Sequence, residues 1–271
     1  MQNRILWPVI VVLVIGLIAI FYPRKATEPP VPLDLPDSTQ APAPDAIPRQ
    51  AEPESPPEFV SGEHSEPQAP LPPLDESDEA ARSALADLGG EALVEEYLVP
   101  DAIIRKLVTT VDSLSHDQLW MKVRAAAPIE GRLQVSEAEG ATYLAPANFA
   151  RYRPLALLIA QIDAAELAAA YRRHYPLLQQ AYEELGYPGR QFHNRALEVI
   201  EHLLATPSVE GPIRLERPHV LYKYADPGLE ALSSGQKLLI RIGPDNAKIV
   251  RDKLEELRAA LESVAETSAS D

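Results

Sequence analysis

The chain has 271 residues, no cysteine and a formal net charge of −15, from 40 acidic and 25 basic side chains. The lack of cysteine excludes disulfides, thiol nucleophiles, thiolate metal sites and an acylated lipoprotein cysteine. The charge argues against a nucleic-acid-binding protein, because phosphate binding needs a cluster of Lys and Arg that no stretch supplies.

An uncharged apolar run from Ile5 to Tyr22 is the first predicted element. Its eighteen residues are at the short end of what crosses a hydrocarbon core of about 30 Å. Trp7 and Tyr22 lie at its two edges, where aromatic rings favour the membrane interface. A cleaved signal peptide is the alternative, but bulky and charged residues follow the run instead of a small-residue cleavage site. The sequence therefore predicts an uncleaved transmembrane anchor at 5–22, behind a cytoplasmic tail at 1–4.

The charges around this anchor give nearly equal support to both orientations. Arg4 and the chain amine precede the run, and Arg24 and Lys25 follow it. A short tail, an anchor and a long acidic extension are the common arrangement for an exported bacterial domain. We therefore expect a single-pass protein of the bacterial inner membrane, with its C-terminal domain in the periplasm.

Residues 23–73 are predicted to form a disordered, acidic and proline-rich linker. Fourteen of the 27 prolines lie between Thr27 and Pro73, and 13 acidic residues with one base, Arg49, lie between residues 26 and 80. Such a segment cannot bury enough apolar surface to offset the entropy lost on ordering. We interpret it as a spacer with polyproline character. A docking strip for a proline-recognising module is the alternative.

Residues 74–265 are predicted to form one helical globular domain, followed by a disordered tail at 266–271. The clearest helical periodicity runs from Pro154 to Gly186, and Pro176 within it predicts a kink or a boundary between two helices. A further helix is predicted at about 194–205. Pro244 begins the last helix, whose apolar positions repeat by four and three: Val250, Leu254, Leu257, Leu261 and Val264.

Two short extended segments interrupt these helices. Leu133 and Val135 alternate with polar neighbours, Glu139-Gly140 is a predicted turn, and residues 141–144 return as a second strand. Another extended stretch lies at 213–224, broken by Pro218. The predicted fold class is therefore mainly α: a multi-helix globular domain with one or two short β-hairpin-like segments, behind a single N-terminal transmembrane helix and a disordered linker.

The sequence contains no recognisable catalytic or metal-binding motif. His193 and His202, which have Glu198 and Glu201 as neighbours, are nine residues apart, whereas a helical zinc site needs a spacing of three or four. Ser234 and Lys237 are three apart but lack the companion motifs of Ser-x-x-Lys enzymes. Gly-rich phosphate loops are also absent. We therefore predict no catalytic residue, no metal site and no cofactor.

Tyrosines and arginines are concentrated around the predicted turn at 187–189. A tyrosine with its ring in the core and its hydroxyl at the rim is normal in a folded domain, so packing is the ordinary interpretation. Tyr and Arg are also the residues that dominate binding hot spots. If the domain binds a partner, we expect the contact at Tyr182, Tyr187, Arg190 and His193.

Several stretches of the domain resemble a bacterial family described as domain of unknown function 3014. The resemblance covers Leu74 to about Leu261 and implies an N-terminal anchor with a variable proline-rich linker. It implies no active site, because the function of the family is unknown. The stretches are Tyr175-Pro176-Leu177, Gln180-Ala181-Tyr182-Glu183-Glu184-Leu185-Gly186-Tyr187-Pro188, His202-Leu203-Leu204-Ala205-Thr206-Pro207 and Gly235-Gln236-Lys237-Leu238-Leu239.

These observations favour a non-enzymatic envelope protein. Residues 5–22 would contact the lipid bilayer, and the domain would act as an adaptor or scaffold for another envelope protein or the cell wall. The alternative is an envelope hydrolase whose carboxylate and histidine come from distant parts of the chain. An adaptor predicts an exposed apolar or aromatic groove, whereas an enzyme predicts a cleft that gathers groups with perturbed pKa.

Overall fold

A computed structural model describes residues 54–57, 70–117, 124–129 and 131–266. The predicted anchor at 5–22, with Trp7 and Tyr22, lies outside the described residues, as does most of the predicted linker. Within the described part of the chain, no single helix has both the length and the apolar character needed to cross a membrane. One pair of helices, Ala147–Gln161 and Ala164–Glu184, meets these criteria only together, and it is bent by 80°.

The described domain is mainly helical with a small antiparallel sheet, which confirms the predicted fold class at this level. A 3₁₀ turn at Leu74–Glu76 precedes the first α-helix. In chain order the elements are α1 (Asp78–Gly89), α2 (Glu91–Tyr97), α3 (Ile103–Ser113), β1 (Val135–Ala138), β2 (Ala141–Leu144), α4 (Ala147–Gln161), α5 (Ala164–Glu184), α6 (Phe192–Leu204), β3 (Arg214–Glu216), β4 (Lys223–Tyr224), α7 (Pro227–Glu230), α8 (Ser234–Arg241) and α9 (Pro244–Glu266).

Most of the helices pack into one hydrophobic core around α9. This helix contacts α4, α5, α6 and α8, and α3 packs on α5 and α6. Pro244 begins α9, as predicted, because the fixed φ of proline suits the first helical position. Four of the apolar positions predicted from spacing, Val250, Leu254, Leu257 and Leu261, are buried. The side chain of Val264 lies outside the described part.

The break between α4 and α5 lies earlier than the sequence indicates. We predicted a kink or a boundary near Pro176, but α5 continues through Pro176 and the chain breaks at Ile162 and Asp163. The Asp163 carboxylate caps α5 by accepting hydrogen bonds from two first-turn N–H groups, both at 2.9 Å. The buried Lys253 ammonium donates to the Ile162 carbonyl at 2.6 Å. Polar groups at both helix ends are therefore satisfied at the break.

The two predicted extended segments join in one antiparallel sheet, in the order β1-β2-β3-β4. In the first hairpin Val135 pairs with Leu144, and the turn is Glu139-Gly140, as predicted. Both turn residues have positive φ, 52° and 75°, which suits a two-residue hairpin turn. A small second core joins this sheet to α8 and consists of Leu144, Leu215, Tyr224 and Ile240.

The start of α8 packs closely against α6 and the end of α3. A Cβ at Gly235 would lie 2.6 Å from a Leu203 methyl carbon and 2.8 Å from the Leu114 carbonyl oxygen, so the approach requires glycine. Ser233 and Gln236 form a capping box at the same helix start. Two of the family-like stretches, 202–207 and 235–239, thus meet at one helix contact.

Candidate functional site

Residues 182–194 connect α5 to α6 and contain the four residues predicted to bind a partner; we call this segment the turn site. The rings of Tyr182 and Tyr187 are stacked, with centroids 4.7 Å apart and planes 20° apart. Tyr182 and His193 are buried, Tyr187 is half-buried and Arg190 is exposed. Of the four side chains, Arg190 and part of Tyr187 therefore reach the surface. Their role in binding a partner stays a prediction.

The surroundings of the two buried residues favour a packing role. Burial raises the pKa of Tyr182 to about 12, and burial lowers the pKa of His193. Both side chains are therefore neutral near pH 7. The His193 ring lies 5.8 Å from the Tyr171 ring and 6.5 Å from the Tyr175 ring, between centroids. These contacts hold the first turn of α6 against α5.

Gln179 of α5 forms hydrogen bonds with the backbone of the turn site. Its side-chain oxygen accepts hydrogen bonds from the Phe192 backbone N–H and from the Tyr175 hydroxyl, both at 2.9 Å. Its amide nitrogen donates to the Arg190 carbonyl at 2.8 Å. Gln179 thereby caps α6 from another helix and fixes the path of the turn.

An ion pair between α3 and α6 supports the same region. The Arg195 guanidinium donates to the Asp112 carboxylate at 2.7 Å and to the Asp112 backbone carbonyl at 2.9 Å. The two side chains are only 18% and 11% exposed. Burial alone would lower the pKa of Arg195, but its hydrogen bond to Asp112 and the charge of Asp112 raise the pKa overall. The Tyr187 hydroxyl also donates to Asp112, at 3.4 Å.

Glu54, which belongs to the predicted linker, is bound at the turn site. Its carboxylate accepts hydrogen bonds from the Gln191 backbone N–H at 2.8 Å, the Asn194 side-chain amide at 3.0 Å and the Arg190 guanidinium at 3.2 Å. Its backbone N–H donates to the Gly189 carbonyl at 2.8 Å. Its own carbonyl accepts from the Gln191 side-chain amide at 3.2 Å.

These contacts favour the ionised form of the Glu54 carboxylate. Partial burial raises its pKa, but the hydrogen bonds from Gln191, Asn194 and Arg190 and the Arg190 charge outweigh burial, so the pKa is lowered. Within the range 23–73 that we predicted as a disordered linker, Glu54 contacts the domain through these hydrogen bonds. The reason is that the turn site supplies polar partners that a linker cannot supply to itself.

An open cleft of about 870 Å³ lies between the sheet, α8 and the first turns of α9; we call it the apolar cleft. Its volume is within the range of small-ligand pockets, about 300–1,000 Å³. Apolar side chains from four parts of the chain line it: Phe149, Val209, Ile213 and Ile240. Four prolines, at positions 146, 207, 212 and 244, also line it, and a proline offers no backbone N–H donor.

The charged side chains that line the apolar cleft are Glu139, Lys248 and Arg251. No histidine is among its lining residues. In the described part of the chain, no group of three or more His, Asp and Glu side chains is placed to hold a metal ion. The cleft therefore combines a mainly apolar wall with charges at separate points, two of them on α9.

His202 and Ser233 form a histidine–serine pair, which is the first arrangement to consider for a hydrolase. The His202 Nε2 lies 2.8 Å from the Ser233 Oγ. This hydroxyl also accepts from the Gln236 backbone N–H at 3.3 Å, as the cap of α8. Burial lowers the pKa of His202, and the Arg195 charge lowers it further. Ser233 therefore serves as a helix cap; it is buried and is not among the residues that line the apolar cleft.

Sequence reasoning missed Glu54, Gln179 and Asp112 at the turn site, and it missed the apolar cleft. Glu54 and Asp112 reach the turn site from segments distant in sequence, and Gln179 lies more than ten positions before its partners Arg190 and Phe192, so no local spacing reveals them. The half-buried apolar residues after α6, such as Val209 and Ile213, were the available signal for the cleft. Their spacing alone predicts only an irregular extended stretch.

Comparisons with known proteins gave one result, a family match. Curated proteins and solved structures provided no match. Residues 103–258, more than half of the chain, match the family described as "Protein of unknown function (DUF3014)". The matched range contains the Tyr182–Tyr187 stack, the Gly235 packing contact and most of α9. The chain therefore belongs to the DUF3014 family.

Proposed function

We propose that this protein is a non-enzymatic adaptor of the bacterial envelope, in which a membrane anchor at 5–22 and a proline-rich linker hold the domain in the periplasm. The domain binds an apolar segment of another envelope protein in the apolar cleft. The observation that carries this proposal is the cleft itself. Its wall is apolar and open, and an exposed apolar groove is what an adaptor requires.

The half-buried state of the cleft side chains supports binding of an apolar segment. Phe149, Val209 and Ile213 pack only partly against the second core and remain half-buried. A partner side chain that covers them removes more apolar surface from water, which contributes about 25 cal/mol per Å². The prolines around the cleft offer few backbone donors, so recognition depends on shape and apolar contact.

The positions of the strongly shifted groups support an adaptor over a hydrolase. Burial lowers the pKa of His174 to about 2 and raises the pKa of Tyr171 well above its usual value. Both side chains lie in the helical core, where they are 3% and 1% exposed. Perturbed groups of an active site would instead line a cleft.

Site-specific photocrosslinking in the native host tests the partner site. A photoreactive amino acid replaces Val209, which is half-buried in the cleft, in the full-length chain. The matched control carries it at Val220, which is 78% exposed and lies outside the cleft. We expect a protein adduct from position 209 that the further substitution Ile213→Glu removes, and no equivalent adduct from position 220. Equal adducts at both positions, or none at 209, would contradict the proposal.

A fusion to the C-terminus tests the orientation. Alkaline phosphatase is fused after Asp271, and a fluorescent protein that matures only in the cytoplasm is fused there in a parallel strain. We expect phosphatase activity without fluorescence. Fluorescence without phosphatase activity would refute the periplasmic part of the proposal.

A further inference from the structure

We infer that the turn site is a recognition site for a glutamate in an extended, proline-containing segment, and that residues 54–57 of the linker occupy it in the full-length protein. This inference does not depend on the apolar cleft or on the adaptor function. It assigns the turn site a ligand of stated chemistry, Glu-x-Pro-Pro, and it identifies the occupant as a segment of the same chain.

Three donors of different kinds converge on the Glu54 carboxylate. The Gln191 backbone N–H and the Asn194 amide share one oxygen, at 2.8 and 3.0 Å, and the Arg190 guanidinium reaches the other at 3.2 Å. Hydrogen bonds to an ionised acceptor are about twice as strong as neutral ones. The arrangement therefore selects a carboxylate over a neutral amide of the same size.

The main chain of Glu54 is recognised as well as its side chain. Its N–H and its carbonyl both bond to the turn, to the Gly189 carbonyl at 2.8 Å and to the Gln191 side-chain amide at 3.2 Å. Gly189 has a φ of 78°, which favours glycine at this position. Contacts on both sides of the residue fix the direction of the bound segment, which a lone surface ion pair does not do.

Glu54 adds to the cap that Gln179 gives α6. The 13-residue helix α6 has no cap from its own N-cap side chain, Gln191. Glu54, 137 positions away, supplies the acceptor for the Gln191 N–H. A carboxylate at a helix N-terminus is also favoured by the helix dipole. The position of Asn194 one turn into α6 lets its side chain add the second donor.

The prolines after Glu54 suit an extended ligand. Pro56 disfavours the helical conformation at Ser55, and Pro57 does the same at Pro56. An already extended segment loses less conformational entropy when it binds. The pattern Glu-x-Pro-Pro occurs once in the whole sequence, at Glu54-Ser55-Pro56-Pro57. The linker therefore contains a single segment whose sequence matches the Glu-x-Pro-Pro pattern.

Distance measurement between two spin labels tests the inference on the full-length chain in detergent. The chain has no cysteine, so the exposed residues Ser55 and Glu166 can be replaced by Cys and labelled without further changes. Glu166 lies at the start of α5, and Gln179, which contacts the turn site through Arg190 and Phe192, lies thirteen positions further along the same helix. A rise of about 1.5 Å per residue puts the labels about 20 Å apart when the linker is bound.

We expect a narrow distance distribution for the labelled chain and its loss when Glu54→Gln is added. Arg190→Ala combined with Asn194→Ala should have the same effect from the domain side. The matched control, Glu66→Gln, changes another linker glutamate and should leave the narrow distribution intact. A broad distribution in the unsubstituted chain, or a narrow one that persists in Glu54→Gln, would overturn the inference.

Discussion

The turn site and the apolar cleft are opposite kinds of surface on one domain. The turn site is polar, its donors are satisfied, and a segment of the same chain already occupies it. The apolar cleft is open, and three of its apolar side chains, Phe149, Val209 and Ile213, are only half-buried. Under the two proposals above, the domain satisfies the polar turn site with a segment of its own chain and leaves the apolar cleft for another molecule. The following predictions test this division.

Removal of the ion pair beneath the turn site should have the largest effect. Asp112→Ala removes the buried counter-ion of Arg195 and leaves it only the exposed Glu198 carboxylate at 3.3 Å, so we expect a loss of about 3 kcal/mol in the free energy of unfolding. Urea denaturation of the full-length chain measures it. The control is Lys248→Ala, whose exposed ion pair with Asp252 should contribute at most about 0.5 kcal/mol. Similar losses in the two variants would show that Asp112 does not support the turn site.

A change at the edge of the apolar cleft should be nearly as large. A Cβ at Gly243 would lie 2.4 Å from the Phe149 ring, and this glycine has a φ of 86°. For Gly243→Ala we expect a loss of about 2 kcal/mol, from overpacking and from the left-handed backbone. Denaturation measures this loss, and the distance between labels at 55 and 166 should not change. A change in that distance would show that cleft and turn site are coupled.

Loss of the Glu54 carboxylate should have a smaller effect that depends on pH. Glu54→Gln should cost about 1 kcal/mol of unfolding free energy at pH 7, because the charged hydrogen bonds are partly exposed. The pKa of Glu54 is lowered in the bound state from an ordinary value of 4.5. The stabilisation is therefore complete above that value and is lost as the pH falls through the lowered pKa. Unfolding at pH 7 and at acidic pH should show the two chains converge, and a constant difference would contradict this.

A charge on the cleft wall should change stability least and binding most. Val209→Glu places a carboxylate on a half-buried position and loses part of an apolar contact with the second core, so we expect a stability loss of at most about 1 kcal/mol. Adduct formation from a photoreactive group at Ile213 should nevertheless be lost. Val220→Glu is the matched control and should keep the adduct. Equal crosslinking in both variants would place the partner elsewhere.

The parts of the fold that sequence predicts are those with local signals. Pro244 and the four-and-three repeat of Val250 to Leu261 define α9, and Glu139-Gly140 defines the first hairpin. The boundary between α4 and α5 was misplaced because Pro176 is the more conspicuous residue. The actual break depends on Asp163 and on Lys253, a buried partner about 90 positions away.

The candidate sites were predicted only in part, for the same reason. Residue type directed attention to Tyr187 and Arg190, because tyrosine and arginine suit binding surfaces. Their partners, Asp112 and Glu54, are distant in sequence and carry no local signal. The apolar cleft is assembled from the sheet, the segment after α6 and two helices, so no single stretch shows its shape.

The contacts of Glu54 also determine how the domain would respond to force. In the proposed tethered arrangement, a pull from the membrane side reaches Glu54 before it reaches the 3₁₀ turn at Leu74. The load therefore enters the domain between α5 and α6, and the Glu54 hydrogen bonds carry it first. The twelve residues between Pro57 and Pro70 have a contour length of about 40 Å. Rupture of the Glu54 contacts would release at most this length in one step, so the domain would reach further from the membrane after rupture than before it.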